Sequence, residues 1–192
     1  PSSGIFFRPP ASLEEADIAI LGLPWDGTVS NRAGTRFGPE AIRSATLGIE
    51  DYSPYQDRDI SRLSIHDAGD PELPFGDTGA CLDMIREEYS ALSMTRRTVA
   101  LGGEHLVSWP LIQVMHEKYG ERLFIIQFDA HADLRTQYLG VRHSHATVMN
   151  LAAELVGKEN MAAVGIRSGT PDEWDILRRN PRYYGGALGK PL

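Results

Sequence analysis

Apolar, β-rich runs alternate with amphipathic helical patterns from residue 17 to about residue 180, and this order restricts the fold more than any other feature of the chain. Strands joined through helices need crossover connections. Right-handed crossovers lay such strands side by side in a parallel sheet with helices on both faces. The expected strands are residues 17–23 (DIAILGL), 62–66 (RLSIH), 98–101 (TVAL), 123–128 (LFIIQF) and 162–166 (AAVGI). Several are apolar throughout, as strands buried on both faces are. The expected fold class is α/β: a three-layer αβα arrangement around a mostly parallel sheet.

The connecting helices have their own signals. Leu82, Ile85, Tyr89 and Leu92 recur at helical spacing, which places one apolar stripe on a helix over residues 77–94. Val148, Leu151, Ala152 and Leu155 do the same, with Gly157 placed to close that helix. Around Pro171 the signals agree: Thr170 as N-cap, Pro171 in the first turn and Glu173 completing a capping box. Arg178 and Arg179 then suit the negative end, and Pro181 stops the helix. Gly38 and Pro39 introduce a short helix carrying Ile42. Residues 1–192 are expected to form a single domain, with residues 181–192, rich in Gly and Pro, as an irregular tail.

Composition narrows the function classes. With 42% hydrophobic residues and 19 Lys+Arg against 26 Asp+Glu, the chain has the make-up of a folded globular protein. A net charge of −7 without a basic cluster argues against nucleic acid as a partner. Its apolar runs fall far short of the roughly 20 residues of a membrane span, and no secretory leader pattern is visible. Cys81 is the single cysteine, which excludes an internal disulfide framework and a cysteine-based zinc site. The expectation is a cytoplasmic protein without a membrane partner.

The densest chemical signal is Asp129-Ala130-His131-Ala132-Asp133, directly after the apolar run LFIIQF. On an extended backbone side chains alternate, so Asp129, His131 and Asp133 project from one face. They lie at the carboxyl end of a strand, where open α/β sheets place their ligand sites. Three metal-competent groups would then converge; the plainer reading makes the aspartates turn caps and His131 a loop residue. A second strand ends in Gly102-Gly103-Glu104-His105, whose paired glycines permit a tight bend that lets His105 reach over the sheet edge. Alone, that histidine reads more readily as hydrogen-bonded structure than as a ligand. Two such strand ends in one α/β chain strengthen the metal reading.

LGGEH at 101–105 and FDAHADLR at 128–135 resemble the two metal motifs of the ureohydrolase family, which includes arginase, agmatinase and formimidoylglutamase. The stretch from Arg32 to Pro39 (RAGTRFGP) with Ile42-Arg43, the segment from Ser144 to Thr147 (SHAT), and the run from Val164 to Gly169 (VGIRSG) extend the resemblance over nearly the whole chain. Among the members, these stretches look most similar to agmatinases. The resemblance implies an arginase-like fold, C-terminally incomplete, and two Mn²⁺ ions. His105, Asp129 and Asp133 would bind one ion, and Asp129 with His131 the other, so that Asp129 bridges. It implies hydrolysis of a guanidino compound to urea and an amine by a hydroxide bridging the two metals. Asp133 would accept a hydrogen bond from that hydroxide, and His145 would shuttle protons or contact substrate. Homo-oligomers, trimers or hexamers, are also implied. Oxygen-rich sites with a minority of imidazoles suit Mn²⁺ in any case.

One part of the family pattern is missing: a third metal motif, D-x-D, on a later strand. Asp172, Glu173 and Asp175 fall on the helix after Pro171 and are poor substitutes. Two divalent ions bring four positive charges, against which Asp129, Asp133 and one hydroxide return three. The 192 residues alone are therefore expected to hold two metals poorly and to turn over little, as a fragment of a longer active chain or as a shortened paralogue. Arg135 is a candidate for attracting a substrate carboxylate, which would favour guanidinobutyrate or arginine over agmatine; agmatine ranks first on resemblance. The rival readings are another ureohydrolase, a non-catalytic scaffold, and a mononuclear zinc amide hydrolase. His66, His116 and His143 are expected to be structural or surface residues, and Cys81 to pack in the core.

Overall fold

A computed structural model describes residues 11–93 and 97–185. The apolar run after residue 17 forms β1 (Ile18–Leu23), buried along its last five residues. There follow α1 (Gly38–Ala45), a small antiparallel ribbon of β2 (Tyr52–Ser53) and β3 (Arg58–Asp59), then β4 (Ile65–Asp67), α2 (Thr78–Ser93) and β5 (Arg97–Gly102). After α3 (Ser108–Tyr119) come β6 (Ile125–Phe128), α4 (Val148–Val156), β7 (Met161–Ile166), α5 (Pro171–Arg179) and β8 (Tyr183–Gly185). These elements form two compact units, Pro1–Leu111 and Ile112–Leu192.

In the first unit β1 is the central strand of a parallel sheet ordered β4-β1-β5. It pairs from Ile18↔Arg97 to Leu23↔Gly102 on one side and from Ile18↔Ile65 on the other. Ile20, Ile65 and Leu101 form a buried cluster on this sheet. The stripe read on α2 is inside as expected: Leu82, Ile85, Tyr89 and Leu92 are all buried, each contributing about 1.5–3 kcal/mol for the larger side chains. Asp77 caps the helix by accepting a hydrogen bond from Ala80 N–H at 3.0 Å. Residue 94, the last of the expected helix, lies outside the described residues.

The second unit holds a parallel sheet ordered β6-β7-β8. Ile125 to Phe128 pair with Met161 to Val164. The capping box read at Thr170 and Glu173 is present, and Gly157 ends α4 at φ 83°. No described helix is long and apolar enough to cross a membrane.

Three expectations need correction. The strand expected at 62–66 starts later, because Ile60–Arg62 forms a 3-10 turn capped by the Asp59 carboxylate and only Ile65–Asp67 pairs with β1. Tyr183–Gly185, inside the expected irregular tail, pairs in parallel with β7 to make β8; residues 186–192 lie outside the described residues. Burial on both faces holds for β1 but not for β6, where Ile126 is 58% and Phe128 77% exposed, because nothing among the described residues covers that face.

Candidate functional site

In the first unit the ends of β1 and β5 are locked together. Gly103 N–H donates to Leu23 O and Glu104 N–H to Trp25 O. The backbones approach so closely that a Cβ at Gly103 would lie 2.1 Å from Trp25 O, which explains one of the paired glycines. Glu104 is buried, and its carboxylate accepts hydrogen bonds from the backbone N–H and the hydroxyl of Thr28. His105, half-buried, opens a 3-10 turn (His105–Val107) whose Leu106 and Val107 are buried. The acid before His105 thus anchors the loop that follows β1.

Two arginines of the 32–43 stretch, Arg36 and Arg43, pair with acids of the same unit. Arg36 pairs with the buried Asp26 at 2.6 Å, and Asp26 also accepts from Gly34 N–H at 2.7 Å. The hydrogen bond from Arg36 holds the Asp26 carboxyl below its ordinary range, although burial works the other way. Arg43 is buried between Asp67 at 2.8 Å and Asp70 at 2.5 Å. A Cβ at Gly22 would collide with Asp70 Oδ1 at 1.8 Å, so the glycine makes room for this cluster.

In the second unit the DAHAD segment leaves β6 and is fastened to the turn after β7. Arg167 and Ser168 N–H both donate to Ala130 O, and Ala132 N–H donates to Ser168 O. Gly165, at φ 89° near the end of β7, lets the strand approach the motif closely: a Cβ there would sit 3.1 Å from Asp129 O. Asp129 Oδ1 accepts from His131 N–H at 2.9 Å. Asp129 and Asp133 present carboxylate oxygens within 4.8 Å of one another, the one close pair of oxygen donors in the motif. The His131 ring is 65% exposed, with Nδ1 3.5 Å from Asp129 Oδ1.

Asp133 adopts φ 53°, left-handed backbone that few residues other than glycine enter and that Asp tolerates better than most. Its carbonyl accepts from Met149 N–H at 3.0 Å and Asn150 N–H at 3.2 Å, so it satisfies the first turn of α4, whose N-cap Thr147 makes no side-chain cap bond. The His145 and Tyr138 rings make a T-shaped contact, centres 5.4 Å apart, with His145 Nδ1 3.4 Å from Ser144 Oγ. The Arg135 guanidinium lies over the Tyr138 ring, 5.0 Å from its centre, and its Nε lies 3.7 Å from the buried Glu173 carboxylate.

His66 Nδ1 is 3.0 Å from Ala11 O, His116 is half-buried on α3 and His143 is exposed. Cys81 is buried, and its thiol is pushed upward by that burial and then by Asp77. Glu104, Tyr138 and the second duty of Glu173 were not foreseen. Glu104 stands inside the GGEH motif and Glu173 inside a capping box, but their long-range partners Thr28 and Leu134 have no local signature.

A family model described as "Arginase family" matches residues 16–185. The chain belongs to the arginase family. Over 181 residues it is 49% identical to a protein from Bacillus subtilis (strain 168) named agmatinase, covering 93% of this chain and 62% of that one. A Thermococcus kodakarensis protein named N(1)-aminopropylagmatine ureohydrolase is 39% identical over 168 residues, with 86% of this chain and 56% of that one covered. The solved agmatine ureohydrolase of Thermoplasma volcanium matches with a TM-score of 0.79 at 26% identity, over 96% of this chain and 59% of that one. Arginase from Medicago truncatula matches at 0.77 and 26% identity, over 86% and 54%. This arginase-family chain therefore has the family's α/β fold with a mostly parallel sheet, and it spans about three fifths of the length of the first relatives named.

Proposed function

We propose that the protein is a metal-dependent amidinohydrolase of agmatinase type, which cleaves a guanidino C–N bond to release urea and an amine. The observation that carries this reading is the pair of carboxylates, Asp129 and Asp133, converging at the carboxyl end of a parallel strand in an arginase-family chain. The donor set fits a divalent cation such as Mn²⁺: two aspartate carboxylates beside two imidazoles, with no thiolate. His105, Asp129 and Asp133 would hold one ion, and Asp129 with His131 the second; the His131 ring is exposed and sits beside Asp129. When bound, such a pair of ions supplies Lewis acidity and a water acidic enough to act at neutral pH.

The chain's own residues supply orientation and proton handling. Asp133 accepts a hydrogen bond from the attacking group, and the left-handed backbone at this residue fixes where the carboxylate points. His145, held in a T-shaped contact with Tyr138, carries the proton to the departing amine. Arg135 is neutralised by Glu173 and stacked on Tyr138, so it is a weak magnet for a substrate carboxylate. That favours agmatine, with its cationic tail, over arginine or guanidinobutyrate, in line with the names of the relatives. Homo-oligomeric assembly, as trimer or hexamer, and a cytoplasmic location belong to the same proposal.

The test is urea release, with added Mn²⁺, by the protein expressed from its natural coding region. Agmatine is expected to be hydrolysed with a kcat/KM at least tenfold above arginine and guanidinobutyrate. Formamide formed exclusively from a formimino substrate, or no turnover of any guanidino compound, would contradict the proposal.

A further inference from the structure

Glu173 is 3% exposed, yet its carboxylate has more partners than a capping box requires. Oε2 accepts from Thr170 N–H at 2.7 Å and from the Thr170 hydroxyl at 2.9 Å, the expected cap. Oε1 reaches across to accept from Leu134 N–H at 2.9 Å, a buried bond spanning 39 positions of sequence. Leu134 follows Asp133, so this N–H belongs to the same peptide unit whose carbonyl accepts from Met149 and Asn150 N–H. One peptide plane is thereby gripped on both sides, by the first turn of α4 through its oxygen and by Glu173 through its nitrogen. The plane it fixes is the one that sets ψ of Asp133, the residue held at φ 53°.

We infer that Glu173 is a positioning residue that holds the Asp133–Leu134 peptide and so aims the Asp133 carboxylate, in addition to capping α5. Left-handed aspartate is disfavoured and persists only where surrounding bonds over-determine it. The α4 amides bond the carbonyl alone, and a second, roughly opposed bond to the N–H prevents the plane from turning about its ends. Glu173 is suited to this because it is buried, negatively charged and tied to α5 through Thr170. Arg135, with Nε at 3.7 Å, offsets its charge without taking the Oε1 used by Leu134. The consequence for metal binding rests on the reading of Asp133 as a ligand; the clamp itself does not.

Three substitutions in the intact protein separate the clamp from the cap. E173M keeps the side-chain length and removes every acceptor. E173Q keeps a carbonyl for Leu134 N–H. T170V removes the hydroxyl of the cap and leaves the carboxylate on Leu134. Amide exchange at Leu134 in metal-free protein is expected to speed at least tenfold in E173M and to stay within threefold of the parent in E173Q and T170V. Mn²⁺ affinity, read by the paramagnetic resonance of free ion, is expected to fall at least tenfold in E173M alone, although T170V lowers the melting temperature as well. Equal exchange at Leu134 in E173M and E173Q, or equal acceleration in T170V and E173M, would overturn the clamp. Should the parent bind no Mn²⁺, the metal reading falls while the exchange comparison still decides the clamp.

Discussion

At the scale of single residues, the site is built by close backbone approaches that only particular side chains permit. Gly103→Ala would drive a Cβ into Trp25 O, and Gly165→Ala would add strain at a positive φ, so each is expected to destabilise by about 1–3 kcal/mol in urea titrations. Among the described residues the buried Tyr183 hydroxyl has no hydrogen-bond partner, and Tyr183→Phe is expected to raise stability by up to about 1 kcal/mol. Asp26 gives a pH signature. Its carboxyl is held below the ordinary 3.8 chiefly by Arg36, so on acidification the unfolded chain takes up the proton first. The stability that Asp26 contributes is therefore present above that value and is lost as pH falls through the depressed folded one. Asp26→Asn should be less stable than the parent at neutral pH, with the gap closing below about pH 4. The residues of DAHAD and GGEH were legible because metal-competent side chains at strand ends are rare by chance. Their supports were not: Glu104 meets Thr28 across 76 positions and Glu173 meets Leu134 across 39, contacts that no local pattern encodes.

At the scale of elements, local physics was a good guide where one signal acted alone. The α5 capping box, the α2 stripe and the glycine ending α4 are all present because each depends on neighbours within one or two turns. Thr170→Ala is expected to cost about 1 kcal/mol in thermal denaturation through loss of the cap. Strand limits were harder. At 60–67 the Asp59 cap winds Ile60–Arg62 into a 3-10 turn before the strand begins, which apolar content alone does not reveal. β8 was invisible because a three-residue strand containing two tyrosines owes its existence to pairing with β7. The apolar run of β6 correctly marked a strand, but not how much of it is covered. Ile126 and Phe128 share an exposed face, and such faces favour association between chains. Light scattering is expected to show self-association of the 192-residue chain that Ile126→Lys reduces while leaving the circular dichroism spectrum unchanged.

At the scale of the whole molecule, family membership and the geometry of each unit support one account. In the first unit His105 follows a segment locked to the end of β1, and in the second Asp129, His131 and Asp133 lie on a loop locked to the turn after β7. The proposal carried by the family resemblance is that His105 and the two aspartates serve the same cation. Mn²⁺ titration followed by paramagnetic resonance tests it without relying on turnover. The account predicts saturable uptake by the parent chain, at least tenfold weaker in His105→Asn, Asp129→Asn and Asp133→Asn and unchanged in His116→Gln. Uptake by His105→Asn as tight as the parent's, with the aspartate variants impaired, would contradict a shared site.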